Sequence, residues 1–263
     1  MPSHYVPVSR EQHGRRQWRR YDDYAFAREI HIIDVALAET AKVASAMPIV
    51  FVGQSDALQP KALMGLEPGQ NLFVGSDSQW QAKYVPALLR GHPFKFLSAA
   101  EQELVLCIDE TFVVDDGGEA FFADGGSAGV SSAVQQLVSF LQQLEVSCLA
   151  ARLAATQLAQ MGVIGPIPAA SMPGLASHHA SALLGVDPEA LAALPDTDFT
   201  SLRKTGAIAL AYHQLLSLEH WPLLPVLAKR HRDHADALSA RAAAIYQPAD
   251  DGELKIDWGR FKT

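Results

Sequence analysis

Two hydrophobic rhythms divide this chain near its middle. Between residues 48 and 122 the apolar positions come in short runs bounded by turn residues. Runs at 48–52, 62–66, 71–74, 93–97 and 104–108 read as strands. Gln54-Ser55-Asp56 and Glu67-Pro68-Gly69, which separate the first three, are turn compositions. Connections this short leave no room for helical crossovers, so the strands are expected to pair antiparallel. Residues 112–114 and 119–122 flank Asp115-Asp116-Gly117-Gly118, which predicts a hairpin. Residues 80–90 predict a short helix or turn.

From residue 131 the rhythm becomes helical. Val134, Leu137, Leu141, Leu144, Cys148, Ala151, Ala155 and Leu158 recur at steps of three and four. They predict one helix over 131–161, a rod of about 45 Å at 1.5 Å per residue. Ser132 with Gln135 suggests a capping box at its start, and Gly162, Gly165 and Pro166 end it. Asp187 before Pro188 predicts another helix start. Residues 198–218 predict a continuous helix with Leu202, Ile208, Tyr212, Leu215 and Leu216 facing inward. Pro222 opens a third, running to about Tyr246. An earlier helix is expected over 35–46, capped by Asp34.

These elements define an α+β protein of one domain spanning 1–263. A mostly antiparallel sheet in 48–122 packs with the long central helix and a C-terminal helical set in 131–246. Residues 1–30 form a polar lead carrying Tyr5, Trp18, Tyr21, Tyr24 and Phe26, a spacing expected to dock on the body. Residues 247–263 form a polar tail expected to fray.

Composition narrows the function classes. With 263 residues, 49% of them hydrophobic, the chain can bury a large core. A net charge of −8 argues against nucleic acid or an anionic membrane as partner, since both need a basic face. Arg15, Arg16, Arg19 and Arg20 bracket Trp18, and they are expected to be solvated or to pair with acids elsewhere in this acidic chain. Cys107 and Cys148 are too few for a disulfide scaffold and read as small buried side chains. No run approaches the ~18 apolar residues of a membrane span. The N-terminus has no apolar signal core, and polar residues follow Arg15-Arg16, so a cytoplasmic protein is expected.

Common catalytic signatures are absent: no Gly-x4-Gly-Lys loop, no Gly-x-Gly-x-x-Gly, no Gly-x-Ser-x-Gly elbow. The Gly-rich stretch 125–129 reads as a turn and helix start, because it lacks the lysine of a phosphate loop and follows Asp124. Asp115, Asp116, Glu119 and Asp124 lack calcium-loop offsets and read as a solvated hairpin. His231 and His234 stand three apart amid Lys229, Arg230, Arg232 and Asp236. His213, His220, His178 and His179 complete no closed ligand set, so no metal and no cofactor is expected. One constellation stands out as a binding surface: Trp80, Tyr84, Arg90 and Asp109. The first three suit an aromatic and cationic recognition face. The same four also suit a packed corner in which Arg90 pairs with Asp109.

Several short motifs carry a family resemblance: Pro48-Ile49-Val50-Phe51, Leu63-x-Gly65-Leu66, Gly69-x-Asn71-Leu72-Phe73-Val74, Trp80-x3-Tyr84-Val85-Pro86, Arg90-Gly91-His92-Pro93-Phe94 and Leu106-Cys107-Ile108-Asp109. His13, residues 24–27, the 186–194 stretch and Gly206-x3-Leu210-Ala211-Tyr212 extend it. In order and spacing the chain resembles the SapC family of bacterial proteins over roughly residues 5–230. His92 stands where that family more often has Tyr, and Gly75-Ser76-Asp77-Ser78-Gln79 replaces an acidic-Gly turn. The resemblance implies no agreed activity and no assigned catalytic residue. It does imply gene neighbours encoding outer-membrane receptors and oxygenase- or halogenase-like enzymes. A multispanning peptide-transport permease of the same name is a different protein, excluded by hydropathy.

The leading expectation is an accessory or binding protein acting with another bacterial protein in a receptor-linked uptake or peptide-modification pathway. The alternative is a metal-dependent enzyme or enzyme subunit acting on a peptide. A third reading is a surface-layer component. Apolar residues beside the central stripe, Val138 and Leu149 among them, predict a protein partner or a homo-oligomer.

Overall fold

A computed structural model of the chain describes residues 4–54, 56–98, 103–123, 129–176, 182–248 and 254–256. Its strands and helices run as β1 (Tyr5–Pro7), α1 (Arg10–His13), β2 (Gln17–Trp18), β3 (Ile32–Asp34), α2 (Thr40–Ala44), β4 (Ile49–Val52), β5 (Gln59–Leu63), α3 (Ala87–Arg90), β6 (Phe94–Ser98), β7 (Leu104–Asp109), β8 (Val113–Val114) and β9 (Glu119–Ala120). Then come α4 (Ser132–Gln160), β10 (Ile164–Pro166), β11 (Leu184–Val186), α5 (Pro188–Ala192), α6 (Asp196–Lys204), α7 (Ala207–Ser217), α8 (Leu223–Ile245), β12 (Tyr246–Pro248) and β13 (Leu254–Ile256). The class is α+β, as the two rhythms predict. The strands that pair do so antiparallel, in the orders β1-β7-β6, β10-β11-β4-β5-β3, β8-β2-β9 and β12-β13.

The N-terminal lead is built into these sheets. Tyr5 pairs with Asp109 at one edge of β7, and β2 inserts between β8 and β9. The predicted hairpin of 112–122 therefore does not close on itself. Gln17 Oε1 accepts from Gly118 N and holds the connecting turn to β2. Residues 71–74 are not a strand. They turn, the Asn71 side chain accepts from Phe73 N, and only Val74 bridges, to Trp80. Asp34 ends β3 and pairs with Lys61 instead of capping a helix, which begins later with a 3-10 turn over Leu37–Glu39.

The long helix starts on Ser131, whose hydroxyl accepts from Val134 N, one residue earlier than the predicted box. Its two halves face different cores. Val134, Leu141 and Leu144 pack with Trp18, Phe94, Ile108 and Phe121. Ala154, Ala155 and Leu158 pack with Leu202, Leu210 and Ala211, where small side chains let α7 approach closely. One apolar stripe thus serves two cores, one toward each end of the rod.

The predicted helix over 198–218 is broken at Gly206, which has φ +80°. The break resets the helical phase. Leu202 and Ile208 are buried as expected, but Tyr212 and Leu216 are 48% and 64% exposed. In their place α7 turns Gln214 and Ser217 inward. Gln214 accepts from Val186 N and donates to Ile49 O, and Ser217 Oγ accepts from Ile49 N. These bonds satisfy backbone groups where β11 and β4 share a single register pair. Tyr246, expected at a helix end, and residues 247–248 and 254–256 of the tail expected to fray pair as strands. Residues 124–128, which hold Asp124 of the acidic cluster and most of the Gly-rich stretch, and the pair His178 and His179 lie outside the described residues.

Candidate functional site

Glu39 is the anchor of the site. It is 5% exposed, yet its carboxylate accepts from Ala36 N, Ala87 N and the Tyr84 hydroxyl at 3.1, 2.8 and 2.8 Å. Three donors make a buried carboxylate tolerable. The Ala87 bond fixes the start of α3, a single turn whose last residue is Arg90. Arg90 then donates to the Tyr84 hydroxyl at 3.1 Å and lies over the Tyr84 and Phe140 rings, 5.5 and 5.6 Å from their centroids. Burial first, then the bond and charge of Glu39, push the Tyr84 phenol up to about 12. It remains protonated and serves as the link between carboxylate and guanidinium.

Of the four residues proposed from sequence, Tyr84 and Arg90 meet directly. Trp80 stands behind them: its indole nitrogen donates to Tyr84 O at 2.8 Å, and its ring packs on Phe73 and Tyr24. Asp109 sits elsewhere. It is buried at the end of β7 and accepts from Thr111 N and Oγ1. Arg90 and Asp109 form no ion pair among the described residues.

Two hollows flank Arg90, and both are walled by α4. The larger, about 430 Å3, is lined by Trp18, Arg20, Tyr21, His92, Ala133, Gln136 and Leu137. The smaller, about 180 Å3, is lined by Ala36, Ala38, Glu39, Lys42, Tyr84, Ala87, Gln143, Leu144 and Ser147. Arg90 and Phe140 line both. The helix positions involved, 133 to 147, fall on one face and span about 21 Å at 1.5 Å per residue. The two hollows adjoin at Arg90 and Phe140, with Arg20 lining one and Lys42 the other.

The larger hollow has an unusual wall. Two buried side-chain nitrogens among the described residues lack a hydrogen-bond partner, Trp18 Nε1 and His92 Nε2, and both residues line it. His92 is held between rings, stacked on Phe26 at 3.7 Å and edge-on to Phe112 at 4.7 Å. Its Nδ1 lies 3.3 Å from the Tyr5 hydroxyl. Burial pulls the His92 imidazole down to about 4, against the pull of Asp109, so it is neutral at neutral pH. The basic lead is partly neutralised, as expected: Arg16 pairs with Asp115 and Arg20 with Glu119, both at the surface.

A separate hollow of about 540 Å3 is bordered by Arg28, Ser76, Asp77, Arg230, His231 and His234. His231 Nε2 is 3.1 Å from Leu72 O, so the ring ties α8 to the 71–74 turn. His213 Nδ1 meets Thr40 Oγ1 at 2.8 Å. Among the described residues no three His, Cys, Asp or Glu side chains converge as metal ligands. Cys107 is buried, whereas Cys148 is half-buried.

Sequence reasoning missed Glu39, Trp18, His92 and Phe140 as site residues. Glu39 offered a signal, a lone carboxylate inside the apolar stretch 35–44. His92 offered another, as the residue departing from the family's usual Tyr. Nothing linear joins the lead, α3 and α4, which meet only in the fold.

Fold and site together define a class: an α+β protein with two adjoining, cation-lined hollows along one long helix, and no helix long and apolar enough to cross a membrane among the described residues. Within that class the particular family is plain. The SapC family model matches residues 8–224, and the chain belongs to the SapC family. No curated protein and no solved structure matches it.

Proposed function

We propose that this protein is an accessory binding protein that holds an extended segment of another protein in the groove along α4. The observation that carries this reading is that Arg90 and Phe140 line both hollows, so that the two adjoin along α4. A strand-like segment rises about 3.3 Å per residue, so roughly six residues span the groove. Arg20, Arg90 and Lys42 favour an acidic occupant, and Tyr21, Tyr84 and Phe140 supply rigid aromatic contact.

Self-association is a second reading, favoured by a different face of the same helix. Val146, Leu149 and Leu153 stand at spacings of three and four and are 70%, 50% and 58% exposed. Val138, by contrast, is packed against the core.

Dye-labelled peptides tiled across proteins encoded beside this chain test the groove reading by anisotropy. Binding that weakens about tenfold or more in Arg90→Gln supports it. Peptides that bind equally to Arg90→Gln, or a complete set that does not bind, contradict it.

A further inference from the structure

We infer that the larger hollow takes the C-terminal carboxylate of the bound segment, held by the Arg20 and Arg90 guanidiniums and by the ring nitrogens of Trp18 and His92. This rests on the reading of the groove as a segment-binding site and adds what is recognised there.

The charged side chains lining the hollow are both guanidiniums, and two residues of its wall hold ring nitrogens without a partner. Both guanidiniums are donor-only, and so is an indole N–H. The Tyr5 phenol, pushed up to about 12 mainly by burial, keeps its proton. We assign it as the donor to His92 Nδ1, which places the hydrogen of the neutral imidazole on Nε2. Two unpaired donors in a folded interior each cost free energy, and chance would scatter them. Here both belong to one cavity wall. A carboxylate has about four acceptor sites, enough for this set.

Size favours a chain end. The hollow beside His92 is the larger of the two, about 430 against 180 Å3 beside Tyr84. It has room for a carboxylate and the last side chain, which Leu137 and Phe140 would contact. Gln136, one turn before Phe140, can pair with the terminal peptide group. Two acids adjoin the site. Glu119 already pairs with Arg20 at 2.9 Å, in the open, and Asp109 is turned to Thr111. Both ring nitrogens are shut off from solvent without a ligand, so their engagement requires the wall to move, which the Trp18 indole signal would report. Arg20, with its side chain 72% exposed, has room to move.

The test is a titration of the full 15N-labelled chain, following the indole N–H of Trp18, assigned through Trp18→Phe. The probes are the hexapeptide Gly-Ser-Gly-Ser-Leu-Phe as free acid, its C-terminal amide, and an amidated version with an internal Glu. The expected result is a downfield shift of the Trp18 signal with the acid, at least about tenfold weaker binding of the amide, and loss of that preference in Arg90→Gln. Equal binding of acid and amide overturns the carboxylate inference and leaves the groove reading standing. Acid-strength binding of the amidated Glu peptide overturns the claim for a chain end. Failure of all three probes at millimolar concentration, across last residues Phe, Leu, Val and Ala, overturns both readings.

Discussion

The Tyr84 hydroxyl donates to the buried Glu39 carboxylate at 2.8 Å. That one bond joins a packed interior to a solvent-facing cation, because the same oxygen accepts from Arg90. Tyr84→Phe removes it and leaves one oxygen of Glu39 with the Ala87 N–H alone. Losing a partner to a buried charged group costs about 1–3 kcal/mol. Thermal denaturation should show a Tm lower by several degrees. An unchanged Tm would mean that Glu39 is satisfied without Tyr84.

His92 gives the stability a pH dependence of known sign. Its folded value, about 4, lies below the ordinary 6.5. Between those values the unfolded chain binds the extra proton, so this contribution is intact above about 6.5 and is lost as pH falls toward 4. His92→Phe keeps the stack on Phe26 and cannot titrate. At ~1.4 kcal/mol per pKa unit, the wild type should lose about 2 kcal/mol more than the variant between pH 7 and 4.5. Taking the difference removes His13, His213 and His231, which burial also lowers. Parallel urea-midpoint profiles for the two proteins would contradict the burial of a neutral His92.

Gly206 separates two helices by adopting a conformation that side chains disfavour. Its φ is +80°, and an added Cβ would come within 3.2 Å of Leu37. Gly206→Ala should cost about 1–2 kcal/mol, and Gly206→Asn less, since Asn tolerates the left-handed region better. Denaturant unfolding of both variants measures this. An alanine variant as stable as wild type would contradict the break between α6 and α7.

The exposed stripe of Val146, Leu149 and Leu153 can be tested apart from the groove. If it mediates self-association, sedimentation at low micromolar concentration shows a dimer that Leu149→Glu converts to monomer. A wild-type monomer at the same concentration would contradict that reading.

Much of the fold was legible in the sequence because it depends on local pattern. The stripe from Val134 to Leu158 and the Asp187-Pro188 start are both in place, and Asp187 caps through its side chain. The failures have non-local causes. The 112–122 hairpin is opened by β2, which comes from about a hundred residues earlier. The 198–218 helix is reset by one glycine with φ +80°, at a position where a side chain would also meet Leu37, about 170 residues earlier in the chain. The site was half legible. Tyr84 and Arg90 are near in sequence and are drawn together by a hydrogen bond. Trp18, Glu39 and Phe140 reach the same groove along separate elements, with no shared spacing to mark them.

The groove is tested most directly by placing a photo-crosslinking residue in it within the native cell. Gln143 is exposed and lines the smaller hollow, while Val146, three residues on, is on the exposed stripe. The account predicts that the residue at position 143 captures one defined chain through a short segment, that the same residue at 146 does not, and that Arg90→Gln abolishes the capture. Capture from 146 with none from 143, or capture from 143 that survives Arg90→Gln, would contradict it.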